Sequence, residues 1–268
     1  MTHRFLIALT LGCSALMQLA VAPAYAQTQL LTNGGFETGN FTGWTLTDLN
    51  TSGNTGAFLI GNNIPDTNLT PASPSTPLEE FPSVGARTGN YYAVTDATGA
   101  GAHALLQNFT VSAFSKSLTL SFDMFVNDWN GAGALNTAGS LDPNQQDSLG
   151  SLIPTQLARV DILAGNAADF STSSADIVAS LYLGEDAGNP PNPYTHYQFD
   201  LTSALQAGQS YRLRFGEVDN QFTLNLGVDN ASLVSTLAVP EPGTPTAFVS
   251  LLATSGLLAL RRRKRRAQ

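Results

Sequence analysis

The chain has 268 residues, 43% of them hydrophobic and 12% charged, with 12 Lys and Arg against 20 Asp and Glu and a single cysteine. One cysteine excludes a disulfide framework and a thiolate metal site. The acid excess opposes binding to a phosphate backbone, so nucleic acid is excluded as a partner and cations are favoured.

The first residues read as an export signal. His3 and Arg4 give a weakly basic start, a mostly apolar run extends from Phe5 to Val21, and Ala22-Pro23-Ala24-Tyr25-Ala26 follows. Small residues at Ala24 and Ala26 are what signal peptidase reads, and Pro23 breaks the signal helix just before the cut. Cleavage after Ala26 leaves Gln27 as the first mature residue and removes Cys13. Leu11-Gly12-Cys13 offers a lipid-anchored alternative, although the apolar run ahead of Cys13 is short. Segment 1–26 is therefore a signal peptide, and segment 27–238 is the mature domain. That domain carries five basic residues (Arg87, Lys116, Arg159, Arg212, Arg214) against nineteen acidic ones, a net charge near −14. It enters an oxidising compartment without a disulfide, so packing must hold it together.

The mature chain reads as short strands separated by turns. Expected strands lie at Gln29–Leu31, Thr45–Thr47, Ala57–Ile60, Tyr91–Thr95 and Ala104–Val111, and again at Arg159–Leu163 and Ala231–Val234. Between Leu118 and Val126 apolar residues alternate with Thr119, Ser121 and Asp123, a period of two that marks a half-buried strand. Ile177–Leu183, Tyr197–Leu201 and Tyr211–Phe215 repeat the pattern, the last with Arg212 and Arg214 expected to face outward. Gly, Asn, Asp and Pro punctuate these runs and no helical period is sustained, so the fold class is all-β, an antiparallel β-sandwich. Ile64–Val84 and Asn127–Pro154 read as long loops, of the length that is often functional.

Three phrases carry a resemblance. Leu30-Leu31-Thr32-Asn33-Gly34-Gly35-Phe36-Glu37 runs on through Phe41-Thr42-Gly43-Trp44; Arg87-Thr88-Gly89-Asn90-Tyr91 comes second; Val228-Asp229-Asn230-Ala231-Ser232-Leu233 closes the domain. In this order they resemble the jelly-roll, galactose-binding-like carbohydrate-binding modules. The resemblance implies that the opening segment and the last strand lie side by side and that their loops hold a structural Ca2+. Carried over, Glu37 and Asp229 are its side-chain ligands, with carbonyls near Asn33 and in Arg87–Asn90 completing an oxygen shell of the kind calcium prefers. The alternative is that Glu37 and Asp229 cap turns. The resemblance also makes Trp44 a core residue.

A glycan site needs an aromatic face for the sugar ring and polar side chains for its hydroxyls. Trp129 follows the clean strand and sits among Asn127, Asp128 and Asn130, so it is either a platform for glycan with those three as polar contacts or a lid on the core edge. Tyr194 and Tyr197, beside Pro190–Pro193, are further aromatic candidates. His103 and His196 are the mature histidines, read as surface loop residues. Neither Gly-x-Ser-x-Gly nor His-Glu-x-x-His occurs, so the chain is read as a non-enzyme with most acids solvated in turns.

The last segment, 239–268, is a sorting tail. Pro240-Glu241-Pro242-Gly243 precedes an apolar stretch from Thr246 to Leu260, and Arg261-Arg262-Arg263-Lys264-Arg265-Arg266 follows. An apolar helix stopped by a basic cluster that stays cytoplasmic is a membrane anchor. The three-part order resembles the PEP-CTERM signal of Gram-negative bacteria, which implies transient anchoring in the inner membrane by this transmembrane helix and removal of the tail by an exosortase. The expectation is a secreted protein, released to the cell surface or extracellular matrix, with a glycan-binding sandwich. The competing readings are a structural or adhesive biofilm protein without a sugar site and, last, a glycan-active enzyme.

Overall fold

The computed structural model describes residues 25–51, 56–136 and 138–238. The signal helix, Ala24, the Pro240-Glu241-Pro242 motif and the C-terminal helix expected from the sequence lie outside the described residues. Among the described residues no helix is long and apolar enough to cross a membrane.

Eleven strands follow in order: β1 Tyr25–Gln29, β2 Thr45–Asn50, β3 Ala57–Asn62, β4 Tyr91–Asp96, β5 Gly101–Thr110, β6 Ser115–Asp128, β7 Gln156–Ala164, β8 Ile177–Gly184, β9 Thr195–Asp200, β10 Ser210–Asp219 and β11 Leu224–Ala238. They pair antiparallel into two sheets, a jelly-roll sandwich. One sheet has the order β3-β4-β11-β6-β9, with β1 also on β11; the other runs β2-β5-β10-β7-β8. Each expected strand is present. The first differs most: Leu30 and Leu31 lie outside β1, which opens at Tyr25, ahead of the expected cut after Ala26, and pairs Gln27 with Thr236. The opening segment and the last strand are therefore side by side, as the resemblance implied.

Period-two side chains from both sheets meet in one core. Leu120, Phe122, Met124 and Val126 of β6 and Leu226, Val228 and Leu233 of β11 face Leu105 of β5, Leu213 and Phe215 of β10, and Val160 and Ile162 of β7. Trp44 closes this core between Phe36 and Phe215, and its indole N–H donates to the Asn33 carbonyl at 3.1 Å. Gly227 is required where it stands, because a Cβ there would lie 2.1 Å from the Phe125 ring that crosses the strand.

β8 and β9 alternate in exposure, whereas β5, β7 and β10 are buried along most of their length. The cause is a second cover. The outer face of the β5-β10-β7 sheet carries Ala102, Leu106, Leu157 and Val218, packed beneath Leu141, Ala167 and Phe170 from the loops. This overturns the expectation that Arg212 and Arg214 face solvent. They do point away from the core, but Arg214 is 0% exposed. Its guanidinium donates to the carbonyls of Asp169 and Ser171 at 2.8 Å and to Asp161 at 2.6 Å. Arg159 grips the same Asp161 through two N–H groups at 2.6 and 2.8 Å and also reaches the Gly139 carbonyl. Arg212 pairs with Asp169 at 2.5 Å.

A single buried carboxylate thus sits between two buried guanidinium groups. Removing it leaves both cations without their partner, which costs about 3–5 kcal/mol for a buried pair. Asp161→Ala is expected to lower unfolding free energy by about that amount in urea denaturation. A loss below about 1 kcal/mol, the scale of a surface pair, would contradict the buried-triad account.

Candidate functional site

Glu37 and Asp229 do not float in solvated turns; both hold the loop at Arg87–Tyr91. Glu37 accepts the Asn90 N–H with both oxygens at 3.0 Å and the Tyr91 N–H at 3.1 Å. Gly89, at φ +67°, lies so close to this carboxylate that an added Cβ would meet it at 2.3 Å. Asp229 accepts from the Thr88 N–H at 3.1 Å and the Asn230 N–H at 2.6 Å. Burial pushes its carboxyl up to about 6, the nearby Glu37 charge adding to the rise against the opposing pull of those amides. Asp229 Oδ1, Asn230 Oδ1 and the Glu37 stem converge on Gly35, lying 3.7–3.9 Å from where a Cβ would be. Asn33 is not part of this cradle. Its carbonyl already takes the Phe36 N–H and the Trp44 indole, and its amide bonds the Asn40 carbonyl. With both lone pairs of that carbonyl used, Asn33 is corrected from calcium ligand to turn former. Among the described residues no group of three or more His, Cys, Asp or Glu side chains converges.

The residues chosen around Trp129 are rearranged in the same way. Trp129 is half-buried, with Phe81 stacked on it at 4.7 Å and 23°. Its indole N–H donates to buried Asn225 at 2.7 Å. It is a lid, pinned by loop 64–84, which folds back on itself through bridges Asp66↔Ser73 and Ser75↔Pro82. Asn127 and Asp128 belong to β6 and are buried, so they cannot orient a ligand's hydroxyls: Asn127 accepts the Asn192 N–H, and Asp128 caps the Asn130 and Gly133 N–H groups. Asn130 is exposed. Tyr194 is also corrected from ligand contact to packing, edge-on to Phe125 at 5.0 Å with its hydroxyl on the Gly85 carbonyl.

Beside this lid the end of the sandwich opens. The Trp129 N–H donates to the Thr223 carbonyl, and the Thr223 hydroxyl donates to Glu79 at 3.1 Å. Glu79, Thr223, Asp219, Gln221, Phe222 and the turn 97–100 line a cleft of about 310 Å³. Phe222 is 45% exposed there. Asn220, also in the lining, is fully engaged in holding the loop, bonding the carbonyls of Pro143 and Ile153 and the Thr155 N–H.

The core changes character towards this cleft. On the inner face of the second sheet the apolar row Leu105–Phe215–Val160 is succeeded by His103–Glu217–Ala158, and then by Asp219–Gln156. His103 is neither in a loop nor at the surface. It lies in β5, 1% exposed, with Nδ1 2.8 Å from Asp48 and Nε2 unpartnered. Glu217 is 1% exposed, no backbone or amide donor reaches its oxygens, and its one polar partner is the Asp219 carboxyl, with which it shares a hydrogen bond. Burial holds Glu217 well above the usual carboxylate range, the Asp219 charge adding to it. Burial likewise pushes Asp219 up to about 7, aided by Glu79 and opposed by the Leu224 N–H. His196 lies on β9, its ring nitrogen 2.9 Å from Asp123. Neither Asp–His pair meets a serine or threonine hydroxyl among the described residues, so neither has the nucleophile a triad needs. The polar row was missed because one alternating residue gives no sign that its strand continues inward past the apolar core.

No family model matches the sequence, and no curated protein matches it. Solved structures similar in fold include the carbohydrate-binding module TmCBM61 in complex with β-1,4-galactotriose, with TM-score 0.41 and 10% identity over 77% of this chain and 97% of that one. A Stig cyclase, Fisc from Fischerella sp. TAU, gives TM-score 0.43 and 16% identity over 80% of this chain and 100% of that one. The enzymatically active domain of tailspike protein 4 of bacteriophage CBA120 gives 0.39 and 12%, this chain covering 76% of itself but only 21% of the tailspike chain. At these identities the likeness is one of fold.

The raised carboxyls predict a pH dependence. A group whose folded pKa exceeds its unfolded value stabilises most below the unfolded pKa, and that contribution is lost as pH rises through the folded one. Asp229 loses it through about 6 and Asp219 through about 7. In chelator the urea midpoint is therefore expected to fall as pH rises from about 4 to about 7. Calcium added at the higher pH should restore the part due to Asp229, and Asp229→Asn should remove that response. A flat profile with no calcium effect would contradict both assignments.

Proposed function

We propose that this chain is an exported surface or matrix protein whose sandwich binds glycan in the end cleft. The observation that carries the reading is Phe222, an exposed aromatic at a cleft whose other walls include the acceptors Glu79, Asp219 and Gln221. A sugar ring offers C–H faces to an aromatic and hydroxyls to such acceptors, the mix of apolar wall and few convergent polar groups typical of small-molecule sites. Trp129 and Phe81 stiffen the rim from behind.

Calcium at Gly35, held by Glu37, Asp229 and the Asn230 amide oxygen, is part of the same proposal. The support is the approach of Asp229 Oδ1 and Asn230 Oδ1 to the same point beside Gly35 and a buried carboxylate whose charge a cation would neutralise. There it would stiffen the join between the opening segment, the 87–91 loop and the last strand, in a domain that has no disulfide.

On a glycan array and in polysaccharide pull-down, Phe222→Ala is expected to abolish retention while changing stability by no more than about 0.5 kcal/mol. Trp129→Ala is expected to destabilise by about 1–3 kcal/mol, since buried Asn225 loses its partner. Undiminished retention by Phe222→Ala would remove the cleft from the account. Adhesion to surfaces without sugar selectivity would favour the adhesive reading, for which exposed Leu149 and Leu152 on the 138–154 loop speak.

The routing rests on the terminal sequences: signal peptidase cutting after Ala26, anchoring in the inner membrane of a Gram-negative host, and an exosortase acting at Pro240-Glu241-Pro242. Mass spectrometry of the surface fraction should then find a chain starting at Gln27 and lacking Arg261–Arg266. Intact tail peptides in that fraction would refute exosortase processing.

A further inference from the structure

We propose that Asn130 is a self-modification site, at which the Gly131 nitrogen displaces ammonia from the side chain and water leaves a carboxylate in place of the amide. Asn-Gly occurs at Asn33-Gly34 and at Asn130-Gly131. The chemistry open to both is the same. The Gly nitrogen attacks the Asn Cγ, the new C–N bond closes a five-membered imide, and the Cγ–Nδ2 bond breaks with loss of ammonia. Water then opens the ring at either carbonyl, giving Asp or isoaspartate, so water is the one co-reactant. Glycine suits the attacking position because it has no Cβ to crowd the ring and its backbone turns freely.

The structure separates the two sites. Asn33 is clamped: its Nδ2 donates to the Asn40 carbonyl at 2.8 Å, and its Oδ1 accepts the Thr38 N–H at 3.4 Å. Gly34 is pinned to the last strand, its carbonyl accepting the Ala231 N–H at 2.9 Å. The Ala231 oxygen lies only 1.8 Å from where a Gly34 Cβ would be. Ring closure there has to break these contacts. Asn130 is the opposite case. It is exposed, and among the described residues no hydrogen bond holds its side-chain amide or the Gly131 N–H. Gly131 is exposed too, at φ +65°, with nothing within 4 Å of a Cβ added to it. Ring closure at Asn130 breaks no side-chain contact.

The product matters because of what already ties this loop down. Asp128 accepts the Asn130 N–H at 2.9 Å and the Gly133 N–H at 3.0 Å, and Glu185 accepts the Ala134 N–H. Modification adds a third carboxylate to a loop held by two, and like charges repel. Isoaspartate also inserts a methylene into the backbone between two amides that Asp128 holds together. Trp129, next in the chain, donates its N–H to the Thr223 carbonyl in the cleft wall, so the loosening begins beside the lid.

Peptide mapping by mass spectrometry follows both sites in the full chain, incubated at mildly alkaline pH either folded or unfolded in urea. In urea the two asparagines are expected to convert at similar rates. In the folded chain Asn130 should convert at least about tenfold faster than Asn33. Asn130→Asp installs one product directly. It should speed amide hydrogen exchange at Gly133 and Ala134 about two- to fivefold at low salt, and high salt should narrow the difference. Equal rates at the two sites in the folded chain overturn the inference. So does an Asn130 that stays intact while the urea-unfolded chain converts. Exchange at Gly133 and Ala134 that ignores Asn130→Asp overturns the effect assigned to the new charge.

Discussion

The structure depends on how nineteen carboxylates are neutralised in a domain with five basic side chains. Three of the five are committed to Asp161 and Asp169, so most acids must find donors elsewhere. They find them in the backbone. Asp96 accepts the N–H groups of Leu78 and Glu79, Glu37 those of Asn90 and Tyr91, Asp128 those of Asn130 and Gly133, and Asp186 that of Val126. A carboxylate bonded to amide N–H groups makes charge-assisted bonds that are stronger than neutral ones and need no cation. The consequence is architectural. Loops that would otherwise leave amides unpaired are tied to strands, which is how segments 64–84 and 185–194 lie on the outer face of the first sheet without a disulfide.

The same economy explains the two-sided burial of β5, β7 and β10. A sandwich strand needs only one buried face, and the outer face of the second sheet would ordinarily be wet. Here Asp161 lies on that face between Arg159 and Arg214, and the carbonyls of Gly139, Asp169 and Ser171 close over them. The covering loops bring Leu141, Ala167 and Phe170 with them, so this outer face gains two small apolar clusters of its own. Charge and apolar area are buried together, each making the other's burial tolerable.

Strands were legible because alternation reports directly on a half-buried face: Leu118–Val126 and Tyr211–Phe215 stand where their patterns place them. The juxtaposition of Glu37 with Asp229 was legible too, through the phrases that surround them. What alternation cannot show is whether the polar face is wet. Arg214, Asp161 and Asn127 all occupy polar positions of their patterns, and all are covered by loops distant in sequence. Trp129 shows the complementary limit. A tryptophan among Asn and Asp reads as either an exposed platform or a lid, and it is Phe81, far upstream, lying across it that decides for the lid. Side-chain exposure at a loop–strand junction is decided by the partner loop, and a single sequence does not reveal which loop that is.

One end of the interior breaks the rules the remainder obeys. Core positions elsewhere along the inner face are filled by Leu, Val, Ile and Phe, and replacing His103, Glu217, Asp219 and Gln156 by such residues would remove a run of poorly satisfied polar atoms. Raised carboxyls record the cost of leaving them there. Such local conflict between a residue and its surroundings is expected where function rather than folding sets the residue. The polar row is also continuous with the cleft, Asp219 belonging to both, whereas the apolar core is sealed at Trp44. The interior thus turns acidic at the end where it opens, through Glu217 and Asp219, which share a hydrogen bond at the inner edge of the cleft.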